Sequence, residues 1–508
     1  MMHLTDTQNR RDRMPMNTLE PKAVWKHFFT ICSIPHPSHH EKALAEALAG
    51  WAAARGLSAA IDAAGNLVIR KPASAGREKA RGVILQAHLD MVPQKSGGTA
   101  HDFERDPIRP RVDPANPAWM VATDTTLGAD NGIGVAMALA ALEDKALSHG
   151  PLECLFTVNE EDGMGGARDL DSALLSGTLL LNLDGEDSDE LTIGCAGTIR
   201  TAAELSYPTQ TPPDGLEWFE ASVGGLLGGH SGVDIDKGRL NATLALVSLL
   251  AKPHEQIHLA LISGGTAANA IPREARAVVG MPAGRADSFR AAFRMEAGKA
   301  RVAAGDKDPG FTASIDPLAD AASLPGRVLG PAGAESMLAI LGAMPNGLVA
   351  MEPDMPGLIR TSLNLGQLSG AAKGGSFMLE TMVMVRSSSD AEKERLGATV
   401  EKRLAGAADH GWNVSQKKLA ESPAWTPNQA SPLLALTKAV YRELFGKDPK
   451  VSSTHGGLET GLFRPRFPSW DMISIGPTIQ YPHSPDERVD IASVARSYRF
   501  VKELLARL

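Results

Sequence analysis

At 508 residues, 43% of them hydrophobic, the chain is too long for one ordinary core and apolar enough to fill two, which excludes a disordered chain. A net charge of -8, with no block of basic residues, argues against nucleic acid or an anionic membrane as a partner and favours small or neutral ligands. Cys32, Cys154 and Cys195 are scattered without paired spacing, so neither a disulfide framework nor a thiolate zinc site is expected, and the cytoplasm is the expected compartment.

In chain order, residues 1–18 read as a polar leader without an apolar signal core, and no run approaches the ~18 apolar residues of a membrane span. "GVILQAHLDMV" predicts a strand, "GIGVAMALAALED" a helix opened by glycines, and "PLECLFTVNEE" and "TLLLNLDGE" two further strands. This is an α/β pattern with polar residues at strand ends, where open sheets bind ligands. From about Thr198 the texture changes. "RTAAEL", "HLALISGG", "AIPREARAVVG" and "FMLETMVMVR" predict half-exposed antiparallel strands, with "NATLALVSLLAK" as a helix on one face. Ala303–Ala334 reads as loops. Ser389 and Glu392 form a capping-box signature, so a helix is expected from there towards Leu404. After "ESPAWTPNQASP" the α/β texture returns with the helix "PLLALTKAVYRELFG" and the strand "DMISIG". The second domain therefore reads as an insert: 19–196 and 423–508 form one α/β domain and 197–422 an α+β domain within it.

Five apolar runs end in potential ligands. "ILQAHLDMVP" presents His88 and Asp90, two apart and so on one side of an extended segment. "TLGADNGIG" presents Asp130, "TVNEEDGMGG" Glu160 and Glu161, "LNLDGED" Asp184 and "QYPHSPDERV" His483. Packing does not explain strands that repeatedly end in charge, because a buried carboxylate must be paired or coordinated. Nitrogen and oxygen donors without thiolates point to zinc, manganese or cobalt used for chemistry. Five ligand groups exceed the usual three for one catalytic zinc. Two ions sharing a bridging carboxylate fit the count, with one further carboxylate left free as general base.

"HLDMVPQK", "GADNGIG", "NEEDGMGGA", "LNLDGED", "GGHSGVDI" and "PHSPDE", in this order, closely resemble the di-zinc metallopeptidase family that includes carnosinase, aminoacylase and tripeptidase T. The resemblance spans roughly Pro21 to Leu508. It implies a zinc-peptidase-like catalytic domain with a mixed central sheet flanked by helices, and an inserted lid and dimerisation domain with a ferredoxin-like core. It implies that His88 and Asp184 bind one zinc, Glu161 and His483 the other, and that Asp130 bridges them; Co2+ or Mn2+ could replace Zn2+. Asp90 would hold the His88 ring, Glu160 would be the general base, and the Asp130–Asn131 peptide would be cis. His230, often supplied by the partner subunit of a dimer in this family, would stabilise the oxyanion. Asn269 and Arg386 would bind the substrate carboxylate. "STHGGLETG" matches the dipeptidase branch and places His455 and Gly456 near substrate, while Glu459 in the same motif has no assigned role.

The implied activity is hydrolysis of short peptides, chiefly dipeptides including Xaa-His. A tripeptidase or an N-acyl-amino-acid deacylase is the alternative within the family. A binding module that kept the fold would be expected to lack a ligand or the base, and none is missing. A glycosidase reading of the carboxylates leaves the histidines unexplained.

Overall fold

A computed structural model describes residues 18–253, 256–319, 324 and 326–508, so the expected leader, apart from Thr18, lies outside the described residues. The chain forms two compact units. The first runs to Gly194 and resumes with Pro427–Ser453 and Leu458–Leu508; the second is Cys195–Thr426 with Thr454–Gly457.

The first unit is built on a mixed eight-stranded sheet in the order Ser58–Ile61, Leu67–Lys71, Leu152–Thr157, Val83–His88, Leu179–Asn182, Asp471–Ser474, Glu190–Cys195, Lys450–Thr454. Leu152–Thr157, Val83–His88 and Leu179–Asn182 are buried at every position, as near-continuous aliphatic runs in a sheet covered on both faces should be. Val83–His88 lies between the other two and pairs in parallel with both, Gln86 standing opposite Leu155 and Asn182. Parallel pairing brings their carboxyl ends to one edge, and the segments after those ends carry the expected ligands. The helix Ala129–Glu143 is apolar all round and almost entirely buried. It packs on the helix Lys22–Cys32 and the strand Val83–His88. Gly132 lets it approach closely, since a Cβ there would stand 3.2 Å from the Phe28 ring. Among the described residues no helix is long and apolar enough to cross a membrane.

The second unit is a ten-stranded sheet whose named pairings are antiparallel, centred on the long strands Gly197–Gln210, Ile359–Lys373 and Ser376–Ser387. Its core includes Phe289 and Phe293 from the helix Ala283–Ala304 and Leu246 and Val247 from Ala242–Ala251. Two expectations change here. The stretch expected to be loops contains the strand Thr312–Pro317, paired with Leu216–Gly224, and the short strand Val328–Leu329. Of the first strand's side chains only Ile315 is buried, so this edge strand shows no apolar alternation to read. The helix Asp390–Ala405 does start at Ser389, whose hydroxyl accepts from the Glu392 amide at 3.4 Å. The reciprocal half of the capping box is absent: Glu392 instead accepts from Thr361 Oγ1 at 2.9 Å and pairs with Arg360 at 3.2 Å, and the Ser389 amide donates to Ser387 Oγ. A cation and a hydroxyl from the neighbouring strand outcompete a backbone amide for that carboxylate.

Candidate active site

The first unit gathers seven of the expected side chains. His88 ends a central strand and is buried. Its Nδ1 lies 3.0 Å from the Asp90 backbone oxygen; a carbonyl oxygen only accepts, so Nδ1 carries the proton. The Nε2 of the neutral ring then turns a lone pair towards Asp130 Oδ1 at 3.1 Å and Asp184 Oδ1 at 3.3 Å. On the other side of Asp130, His483 Nε2 is 3.3 Å from Oδ2 and 3.0 Å from Glu161 Oε2. The two oxygens of Asp130 thus face two different histidines.

Acceptors that face acceptors need positive charge between them, and the donor set fits bound cations on that ground. His88, Asp130 and Asp184 offer ligand atoms within 4.8 Å of one another, and so do Asp130, Glu161 and His483, with Asp130 common to both sets. Glu161 Oε1 is buried without a hydrogen-bond partner among the described residues. Protons show the same demand. Burial alone would lower the His88 pKa, but Asp184, Asp130 and Asp90 outweigh it and raise it well above the ordinary value. Hydrogen bonds from His483 to Asp130 and Glu161 push its imidazole up to about 11. Burial would raise Asp130, yet His483 and His88 hold it below the usual carboxylate range.

Glu160 offers an oxygen to a further group with His88 and Glu161 within the same 4.8 Å reach. Burial raises its pKa well above the ordinary value, Asp184, Glu161 and Glu459 add to the rise, and His88 opposes it. Asp90 meets the His88 ring with its backbone and with its side chain. The direct bond to the His88 ring comes from its backbone oxygen, with carboxylate Oδ1 at 3.5 Å. The carboxylate itself accepts from the Glu160 amide at 2.9 Å, the Glu161 amide at 3.1 Å and Ser38 Oγ at 2.8 Å. It therefore anchors the turn that presents both glutamates, and although burial opposes ionisation, His88 and these donors bring its pKa down to about 2.

Two supporting residues went unread in the sequence. Glu487, four residues past His483, is buried and accepts from four successive amides: Leu127 at 2.7 Å, Gly128 at 3.0 Å, Ala129 at 2.8 Å and Asp130 at 3.3 Å. It ties the segment bearing His483 to the one bearing Asp130. Its place in "PHSPDE" was the available signal. Asn131, joined to Asp130 by a cis peptide, donates from Nδ2 to Asp184 Oδ1. A Cβ at Gly134 would overlap Asn131 Oδ1 and come within 2.8 Å of the Leu183 oxygen. Gly134→Ala is therefore expected to cost ~1–3 kcal/mol of stability through overpacking, readable as a lower urea midpoint.

The second unit holds the remaining residues. His230 sits on a short strand pair, opposite Ala270. Its amide donates to Asp234 Oδ2 at 2.8 Å, and its Nδ1 accepts from the Gly232 amide at 3.2 Å, so the neutral ring carries its proton on Nε2. Burial, then the charge of Arg386, lowers its pKa and keeps it neutral. Arg386 is buried, cross-strand from Ser362, and donates from Nη1 to the His455 oxygen at 3.4 Å. Its Nε has no partner among the described residues, and burial lowers its pKa to about 10. His455 Nε2 pairs with Ser362 Oγ at 2.8 Å, and burial, with Arg386 adding, brings its pKa to about 3. Asn269 is exposed, and its backbone oxygen accepts from Ser231 at 2.8 Å. The Gly456 amide donates to Thr454 Oγ1 at 3.0 Å.

Known proteins resemble this chain in sequence and in fold. The chain is 40% identical over 498 residues to the cytosol non-specific dipeptidase of Escherichia coli K12, covering 97% of this chain and 99% of that protein. A crystal structure of an aminoacylhistidine dipeptidase from Vibrio alginolyticus superposes with a TM-score of 0.86 at 37% identity, covering 97% of this chain and 98% of that one. A Staphylococcus aureus tripeptidase shares the fold at 15% identity, with a TM-score of 0.60 over 96% of this chain and 98% of that one. The family model described as peptidase family M20/M25/M40 matches residues 84–507. The chain belongs to peptidase family M20/M25/M40.

Proposed function

We propose that the chain is a metal-dependent dipeptidase of the cytoplasm, hydrolysing short peptides and chiefly dipeptides, Xaa-His among them. The family and the two relatives matched over nearly their whole length, one named as cytosolic and both as dipeptidases, support this reading. The observation that carries it is Asp130 turned towards His88 through one oxygen and His483 through the other. His88 and Asp184 would hold one divalent ion, Glu161 and His483 the other, and Asp130 would contribute to both. Zn2+ suits these donors best, with Co2+ or Mn2+ as alternatives. When bound, such a pair polarises the scissile carbonyl and lowers the pKa of a water.

The chain's own groups move the protons and hold the substrate. Glu160 takes the proton of the attacking water and returns it to the leaving amine. Asp90 keeps Glu160 and Glu161 in place through their amides. His230 supplies Nε2–H to the oxyanion. Arg386, buried and with no partner for its Nε among the described residues, binds the substrate's terminal carboxylate, aided by Asn269, with His455 and Gly456 alongside. A carboxylate held in this way restricts cleavage to short peptides. The test is hydrolysis of Xaa-His dipeptides against tripeptides and N-acyl amino acids, before and after chelation and with defined metals restored. Chelator-sensitive turnover favouring dipeptides is expected; preference for tripeptides or acyl amino acids would replace this reading with its alternative.

The second unit is proposed as lid and dimerisation domain. The strand Gly347–Met351 ends the ten-stranded sheet and exposes Leu348 at 42%, Val349 at 45% and Met351 at 40%. An apolar strand edge invites pairing with another edge, here a second copy of the chain. Val349→Lys is expected to turn a dimer into a monomer in light scattering after gel filtration.

A further inference from the structure

Beneath the proposed metal centre lies a layer of polar side chains that the chemistry above does not use. Gln86, Thr157 and Asn182 stand on three adjacent strands, two residues before His88, three before Glu160 and two before Asp184. Glu459, the first residue of the helix Glu459–Arg466 and fully buried, closes this layer. Its Oε2 accepts from Gln86 Nε2 at 2.6 Å and from Thr157 Oγ1 at 2.7 Å. Gln86 Oε1 in turn accepts from Asn182 Nδ2 at 2.6 Å, and Asn182 Oδ1 accepts from the Asp184 amide at 3.3 Å.

The direction of this chain of bonds depends on its origin. An amide side chain can present either end, and Gln86 and Asn182 could each flip. Glu459 Oε2 accepts from Gln86 and Thr157 whether the group is ionised or carries its proton on Oε1, so Glu459 makes Gln86 present its NH2 there and its oxygen to Asn182. Asn182 must then present its own oxygen to the Asp184 amide. Packing does not account for a carboxyl at this position, because Leu would fill a similar volume without burying charge. Glu459 Oε1 has no hydrogen-bond partner among the described residues, a cost that a space-filling residue would avoid.

We propose that Glu459 is a positioning residue of the metal centre: it orients the Gln86–Asn182 amide relay and so fixes the strand ends that carry His88 and Asp184. The inference rests on the metal reading above. Burial pushes the Glu459 carboxyl up to about 8, in keeping with a group the fold holds dry.

The test measures Zn2+ affinity of the stripped full-length protein by competition with a chromogenic chelator, alongside urea unfolding without metal. Glu459→Leu is expected to bind ~10–100-fold more weakly, the loss typical of removing an outer partner of a metal ligand. Glu459→Gln, which can still accept from Gln86 and Thr157, should stay within ~3-fold of wild type. Should Glu459→Leu not fold, Gln86→Met breaks the same relay from its middle and is expected to weaken binding in the same range. Unchanged affinity in the folded relay-breaking variant would overturn the proposal. So would equal losses in the Leu and Gln variants, or a loss that merely follows the metal-free unfolding midpoint. A wild-type protein that binds no divalent ion would sink the metal reading as well; tight wild-type binding with an indifferent Glu459→Leu sinks this inference alone.

Discussion

Glu160→Gln is expected to lower kcat by ~10²–10⁴-fold while leaving two metal ions per chain and nearly wild-type KM, the pattern of a lost proton-transfer group. Glutamine preserves the shape and the backbone bonds to Asp90, so the turn stays in place. Only the basic oxygen disappears. Burial and the neighbouring carboxylates Asp184, Glu161 and Glu459 raise the Glu160 pKa, and cations brought into the cluster would pull it back towards the range in which one group can both take and return a proton. Metal analysis and steady-state kinetics on one preparation check this. Full turnover in the variant would remove Glu160 from the chemistry.

Asp130→Asn should have the broadest effect of any single substitution, because it breaks the group shared by both ions: the amide oxygen can serve one of them and the other loses its ligand. Its oxygens face His88 at 3.1 Å and His483 at 3.3 Å, and the amide nitrogen of Asn cannot replace either lone pair. The two ions together supply several kcal/mol of transition-state stabilisation, and each 4 kcal/mol corresponds to roughly a thousandfold in rate. Activity is therefore expected to fall by at least ~10³-fold. The rise in melting temperature that metal gives the wild type should largely vanish, since ligand stabilisation scales with the logarithm of affinity. Mass spectrometry of metal content and thermal scans with and without metal measure both effects.

Strand ends were the legible part of this molecule. Val83–His88, Leu152–Thr157 and Leu179–Asn182 are aliphatic runs that stop at charge, and the physical improbability of burying that charge unpaired is visible without coordinates. What depends on distant pairing was not. Nothing local says that the Asp90 carboxylate binds the amides of Glu160 and Glu161, or that Glu487 collects four amides from a loop 357 or more residues earlier. The strand Thr312–Pro317 escaped because a sheet edge that buries one side chain carries no period-two signal. Thr454–Gly457 likewise joins the second unit although the residues on both sides belong to the first. The cis peptide at Asp130 was expected only through family resemblance, and it is present.

The most direct measurement is anomalous diffraction at the zinc edge from crystals of the zinc-loaded protein. Two peaks about 3.5–4 Å apart are expected, one on each side of the Asp130 carboxylate, with Glu160 bound to neither. A single peak, or Glu160 within bonding distance of a metal, would contradict the shared-carboxylate centre.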